Sequence, residues 1–346
     1  MAMNKVTQQE IAAALGLSRN TVSKVFNESD AIAAKTRKAV IKTAMEMGYK
    51  HIGNDFYKEL SDSSPKVTET VAFVCRRNDI HGYWSKIING LENAVSKNGM
   101  SLVLCMVDPE QEETCELPAT LRNMAHKGIV TTGIFISEYY HKINSLGIPW
   151  VSIDTAYDIS SLNLLCDTIM CNNIETIEQI VKTLAAQGHT KIGYIGDAFL
   201  SRAYMERWMG FQQAMNGLGL PIDHQCCLAE AGCYHYVDGE ELRSLLRNLT
   251  DKVTAIVCSS DSVALPITHC LSNIGLSVPN DIAISGFDDL DEGVRASLTT
   301  VKNFPEDTGK CAGETLFWRM QNVERPLQTV QIQAEIIYRN STNKTI

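Results

Sequence analysis

The sequence predicts an α/β body of doubly wound parallel sheets behind an N-terminal three-helix, helix-turn-helix head. Three observations predict it. Short apolar runs alternate with helical stretches from Thr70 onward, a capped helical pattern with a turn glycine fills the first 50 residues, and the charge balance changes sign between the two parts. The chain has 346 residues, more than one compact domain usually holds. Its net charge is −9, yet residues 1–60 carry nine Lys/Arg against six Asp/Glu, and the remaining 286 carry 22 against 34. A basic head on an acidic body fits a head that meets phosphates and a body that does not.

The head divides into three helices. The first spans about Gln8 to Leu15, and Gly16 supplies the turn because it tolerates positive φ. Ser18 is an N-cap residue for the second helix, Arg19 to about Asn27. The third runs from about Ala34 to Met47 and stops at Gly48. Ile11, Leu15, Val22, Phe26, Val40, Ala44 and Met47 recur at helical spacing and predict one small core. Val22 and Phe26 then point inward, while Asn20 and Lys24 point outward. Arg19, Asn20 and Thr21 form an exposed first turn, the part of a recognition helix that enters a major groove. Arg forks onto guanine, Asn onto adenine, and Thr reaches a thymine methyl or a phosphate. Ser18, Ser23, Lys24 and Asn27 suit phosphate contacts, which set register without reading sequence. The competing reading is an amphipathic hairpin with a solvated polar face.

Residues 51–69 are polar, with Ser61, Ser63, Ser64 and Pro65, and read as a linker in which Asn54 to Leu60 forms one or two helical turns. In the body, Thr70–Cys75, Leu102–Val107, Gly133–Ile136, Trp150–Ile153, Lys191–Ile195, Ala255–Cys258 and Ile282–Gly286 read as buried parallel strands. Helices are expected over Asn172–Gln187 and Met205–Leu218, from Asp261 as cap to near Gly275, and from Pro305 to about Arg319. The expected domains are 1–50, a linker over 51–69, and a body over 70–340. Two subdomains divide the body, one of about 70–168 and 299–325, the other of about 169–298 and 326–340.

The stretches Val6–Ala12, Leu15–Asn27, Thr36-Arg37 and Met47-Gly48-Tyr49 resemble the headpiece of the LacI/GalR family of bacterial transcription regulators. The resemblance continues through Gly188–Gly196, Arg207–Phe211 and Val278–Asp289 and covers nearly the whole chain. It implies a repressor-type regulator whose body is a periplasmic-binding-protein-like (type I) sensor of a small molecule, usually a sugar. It also places Thr7 among the DNA contacts and makes Leu60 a wedge into the minor groove. The chain departs from the family at the hinge. Lys50-His51-Ile52-Gly53 follows Tyr49 without the usual Pro, and Asp55 and Glu59 would be repelled by phosphates. Ala33 stands where a capping Ser is usual, and Ser260 where Asn commonly precedes Asp261.

Polar residues at the carboxyl ends of the strands mark an inter-domain crevice. Arg76, Asp154, Arg207, Ser260 and Asp288 are the expected effector contacts, because carboxylates plus Arg suit sugar hydroxyls. Tyr83 and Trp84 offer an aromatic face for a sugar ring, with core packing as the equal alternative for Trp84. Arg76 and Arg77 read either as contacts to a phosphate or carboxylate on the effector or as a plain surface pair. No dinucleotide fingerprint, P-loop or nucleophile elbow is present, so no cofactor, metal or catalytic set is expected. Eleven cysteines without Cys-x-x-Cys read as reduced thiols of a cytoplasmic protein, and no secretory or membrane segment is evident. The expected partners are a near-palindromic double-stranded DNA operator, a small carbohydrate effector and a second copy of the chain, since one recognition helix reads too few bases. A cytosolic sugar-binding or sugar-modifying α/β protein with a head that does not bind DNA is the alternative.

Overall fold

Thr7 and Gly16 set the ends of the first helix, α1 (Gln8–Leu15). The Thr7 hydroxyl accepts from the Glu10 amide at 3.4 Å, and the Glu10 carboxylate accepts from the Thr7 amide at 2.7 Å. Gly16 stops the helix in the left-handed region at φ +65°. The Ser18 hydroxyl accepts from the Thr21 amide at 3.1 Å and opens α2 (Arg19–Phe26). The third helix, α3, is Ala34–Glu46. Ile11, Ala12, Val22, Val25, Val40, Ile41 and Ala44 are buried together, and Phe26 lies half-buried with its ring 5.1 Å from that of Tyr49. The structure is a computed structural model and describes residues 6–26, 32–47, 49, 69–77, 82–160, 162–231 and 240–343. The expected linker, with its helix from Asn54 to Leu60, lies outside the described residues. The chain divides into two compact units, Met1–Thr68 and Glu69–Ile346.

Within the second unit, the first sheet contains β1 (Thr70–Arg76), β2 (Ser101–Val107), β3 (His126–Thr132), β4 (Trp150–Ile153) and β5 (Asp167–Cys171). The second contains β6 (Ile192–Ile195), β7 (Cys227–Leu228), β8 (Ala255–Cys258) and β9 (Ala283–Ser285). Three further strands follow: β10 (Thr300–Lys302), β11 (Thr329–Ile332) and β12 (Glu335–Ile337). The first sheet has the order β11-β5-β4-β3-β1-β2 and the second β7-β6-β8-β9, both parallel throughout, while β10 and β12 pair antiparallel. Helices cover both faces, as doubly wound sheets require. Helices Tyr83–Lys97 and Pro305–Gln321 touch backbone to backbone. A Cβ on Gly90 would land on the Glu306 carbonyl, and one on Gly309 on the Ile87 carbonyl.

Two expectations need correction. Gly133–Ile136 is not a strand; the strand precedes it, at His126–Thr132. Its threonines disguise it, but Thr131 donates to the Ser152 hydroxyl across the sheet at 2.9 Å and so is satisfied when buried. The apolar run instead drops Phe135 into the core and leads into helix Ser137–Asn144. The subdomain boundaries expected at 168/169 and 325/326 fall before the true crossings. β5 runs on to Cys171, and β11 pairs with it from Thr329↔Thr168 to Ile332↔Cys171. Asn172 ties the two crossing segments beyond, accepting from the Ala334 amide at 2.7 Å.

This edge rests on a buried ion pair. Arg319 donates to both carboxylate oxygens of Asp167 at 2.6 and 2.8 Å, and also to the carbonyls of Asn322, Arg325 and Pro326. Asp167 is fully buried and also accepts from the Gln328 amide at 2.7 Å. Removing one partner leaves an uncompensated buried charge. Arg319→Met should therefore cost about 3–5 kcal/mol, read as a lower urea midpoint for the full chain. A loss under about 1 kcal/mol would show that Asp167 finds other compensation.

Candidate nucleic-acid interface and ligand cleft

The second helix of the head separates its two faces cleanly. Val22 and Val25 are fully buried, whereas Arg19, Asn20 and Lys24 are exposed and Thr21 and Ser23 half-exposed. This is the disposition a groove-reading helix needs. Val25 takes the core place that the spacing assigned to Phe26, which only borders the core. Thr7 and Ser18 are exposed but already serve as caps, and the Ser18 and Thr21 hydroxyls lie 2.8 Å apart. Asn27 and Leu60 lie outside the described residues.

In the body, a cleft of about 730 Å³ opens where the strands of both sheets end. Its wall includes Arg76, Tyr83, Trp84, Asp154, Arg207 and Asp288. Arg207 sits in the second turn of helix Arg202–Gly217 and is buried. Its Nε donates to Asn173 Oδ1 at 3.1 Å and its Nη1 to the Ser259 carbonyl at 2.7 Å. The guanidinium lies 3.6 Å from the centroid of the Phe287 ring. Its Nη2 stands 3.7 Å from Asp288, too far for a hydrogen bond, so this donor edge is open toward the cleft.

Two of the cleft aspartates sit in backbone conformations that L-residues seldom adopt, at φ +65° for Asp154 and +105° for Asp288. Asp154 follows β4 and accepts from the Thr155 amide at 2.7 Å and the Ala203 amide at 3.0 Å. Burial pushes its carboxyl up to about 7, against the pull of these amides and of Arg207. Burial likewise raises Asp288 to about 6, opposed by Arg207 and by Asn303. Asn303 donates to Asp288 at 3.0 Å, while its own Oδ1, buried on the cleft wall, has no partner among the described residues. Burial also raises the Tyr83 hydroxyl well above its usual range. The Tyr83 and Trp84 rings meet edge to face at 5.3 Å.

Three expectations change here. Ser260 is buried off the cleft wall, and Ser262 lines it instead. Asp261 is the first residue of its helix and not the cap; its carboxylate accepts from Thr300 Oγ1 at 2.6 Å and the Leu290 amide at 2.9 Å. Arg76 reaches the wall, but its guanidinium is forked onto Glu112, with Nε and Nη2 each donating at 2.6 Å. Asn303, Asp197 and Tyr204 belong to the wall without having been read from the sequence. Asp197 follows β6, so the strand-end rule would have reached it. Asn303 follows β10, a strand of three residues that carries no apolar run.

The model for the lacI family of bacterial regulatory proteins matches residues 7–51, and that for the periplasmic binding protein-like domain matches residues 181–342. The chain is thus similar to the LacI family in its head and to periplasmic binding protein-like domains in its body. It is 26% identical over 345 residues to the HTH-type transcriptional repressor PurR of Vibrio parahaemolyticus, covering 98% of this chain and 99% of that one. Two solved structures share its fold. One is the Lac repressor dimer bound to operator and the anti-inducer ONPF (TM-score 0.70, 20% identity, 98% and 99% of the two chains). The other is a complex of the transcriptional regulator CelR with cellobiose (TM-score 0.68, 22% identity, 97% and 100%). The protein is thus a DNA-binding transcription regulator with a ligand-binding body. Among the described residues, no helix is long and apolar enough to cross a membrane.

The raised carboxyls give a signed pH dependence. Asp154 titrates near 7 in the folded chain and near 4 when unfolded, so the folded state binds more protons between those values. Its contribution to stability therefore falls as pH rises through that window. Asp154→Asn keeps an acceptor for the two amides and cannot ionise. Relative to the parent, its Tm should stand higher at pH 8 than at pH 5 by scanning calorimetry. A gap independent of pH would contradict the assignment.

Proposed function

We propose that this protein is a cytoplasmic repressor that binds a near-palindromic operator as a homodimer and releases or tightens its hold when a carbohydrate occupies the cleft. The observation that carries the reading is the open edge between Arg207 Nη2 and Asp288, with the free Asn303 oxygen beside it. One hydroxyl there can accept from the guanidinium and donate to the carboxylate, and a neighbouring hydroxyl can donate to Asn303. Tyr83 and Trp84 supply a ring-sized apolar face. The fold shared with a cellobiose complex and with an operator-bound dimer supports the ligand class and the dimer. The cleft groups bind and carry out no reaction, since Asp154 is held by two backbone amides and Asp288 by Asn303. Effector binding shifts the balance between lobe arrangements, and linkage makes operator and inducer weaken each other equally.

In the head, Arg19 and Asn20 read base edges, Thr21 presents its methyl group, and Ser18, Ser23 and Lys24 with Thr7 meet phosphates. Selection from random duplexes yields the operator for quantitative binding. On it, Asn20→Ala should cost about 1–3 kcal/mol and relax preference at one base position. Lys24→Ala should weaken every duplex alike and lower the salt slope by about 1. Equal loss of base preference from both substitutions would overturn these roles.

A further inference from the structure

The charge inventory of the cleft narrows the ligand further, and the argument rests on reading this cleft as the effector site. Among the described residues, its wall carries four carboxylates, Asp154, Asp197, Asp288 and Glu292, against two guanidiniums. Neither guanidinium is available to an anion. Arg76 is forked onto Glu112, a buried carboxylate that also accepts from the Ile136 amide at 3.0 Å. Arg207 spends Nε and Nη1 inside the protein and faces Asp288 with what remains, so an anion at its open edge would sit against a carboxylate. Phosphate and carboxylate sites also use helix N-termini. Here that device is already filled by the chain itself. The start of helix Arg202–Gly217 gives its Ala203 amide to the Asp154 carboxylate and its Arg202 amide to the Thr155 carbonyl. Helix Asp261–Asn273 carries the buried Asp261 in its first turn. Helix Tyr83–Lys97 presents two aromatic rings at its start. The chain segments 78–81, 161 and 232–239 contain neither Lys nor Arg.

We propose that the effector is an uncharged, hydroxyl-rich molecule, and that this cleft rejects phosphorylated and carboxylated sugars. Such a ligand satisfies the open groups without needing a counter-charge. The Arg207–Asp288 edge takes a hydroxyl as acceptor and donor at once, and Asn303 Oδ1 takes a second hydroxyl as donor. A dianionic phosphate would add like charge to a wall that holds twice as many acids as bases, and no bidentate fork would be free to receive it.

The test is calorimetric titration of the full chain at pH 7.5 with inorganic phosphate, glucose 6-phosphate and glucuronate, beside glucose, maltose and cellobiose. Phosphate and the two anionic sugars should show no saturable binding up to about 10 mM, and each anionic sugar should bind at least tenfold more weakly than its neutral parent where the parent binds. An anion that binds below about 1 mM and is lost in Arg207→Gln sits in the cleft and overturns the proposal. An anion whose binding Arg207→Gln leaves unchanged sits elsewhere, and the exclusion stands. Should a neutral sugar bind and ignore both Arg207→Gln and Asp288→Asn, the effector-site reading itself fails, separately from the charge argument. Glu112→Gln is the converse arm. Releasing Arg76 from its carboxylate should create measurable glucose 6-phosphate binding, at least tenfold above the parent chain; a folded Glu112→Gln protein with no gain would show that pairing is not what denies the cleft to anions.

Discussion

The body is organised around the one guanidinium that it buries whole at its cleft. A buried charge is costly unless it is paired and its donors are satisfied. Arg207 meets that demand with groups from separate parts of the fold: Asn173 beyond β5, the Ser259 carbonyl after β8, and Phe287 with Asp288 after β9. Burial works against the charge of Arg207, and the Asp288 carboxylate, together with Tyr204, Cys171 and Tyr194, more than offsets this. The same proximity holds Asp288 below where burial alone would set it. Neither group is comfortable without the other, and the 3.7 Å gap between them leaves each with unused bonding capacity. A site of this kind is formed before any ligand arrives, because the positions of both groups are fixed by internal partners.

The second constraint is that the lobes share their connections. β5 and β11 run side by side and end together, and Asn172 locks the segments that leave them. The Asp167–Arg319 pair fixes β5 to the loop that returns toward β11. Close to this seam, Asp154 reaches from the end of β4 to the first turn of helix Arg202–Gly217. The carboxylate therefore has two roles that share one charge. It lines the cleft, and it ties an element of one sheet to a helix of the other. Any change in how the lobes meet must strain or relax that bond, which is a physical route from an occupied cleft to a different arrangement of the body.

How much of this was legible follows from where each residue's constraint comes from. Caps and turns are local, so Gly16 and Ser18 announced the head with boundaries correct to a residue or two. The apolar strands β1, β4 and β8 were equally plain. What escaped were elements whose stability is not written in their own residues. β5 carries a fully buried Asp167 that Arg319, 152 positions later, and the Gln328 amide make tolerable. β3 buries Thr131 by pairing its hydroxyl with Ser152 across the sheet. β10 and β12 are three residues each and exist because they pair with one another. The cleft shows the same division. Asp154, Arg207 and Asp288 could be placed by the strand-end rule and by family resemblance, whereas Asn303 depended on an unseen strand, and the commitment of Arg76 to Glu112 is a contact that no spacing encodes.

In the head, stability and recognition are coupled. A helix of eight residues is marginal in water and depends on its packing. In α2 the residues that pack, Val22 and Val25, alternate with the residues that face outward, Asn20, Ser23 and Lys24, within two turns. Its caps are similarly shared: the Ser18 hydroxyl that starts the helix is bonded to Thr21, a residue of the same exposed turn. A substitution on the hidden side thus changes the fraction of chains that present the outer side at all, and apparent DNA affinity falls by that fraction even when every reading residue is intact. Loss of binding after a core substitution in this head therefore reports the population of the folded helix, whereas a change in base preference reports its outer face.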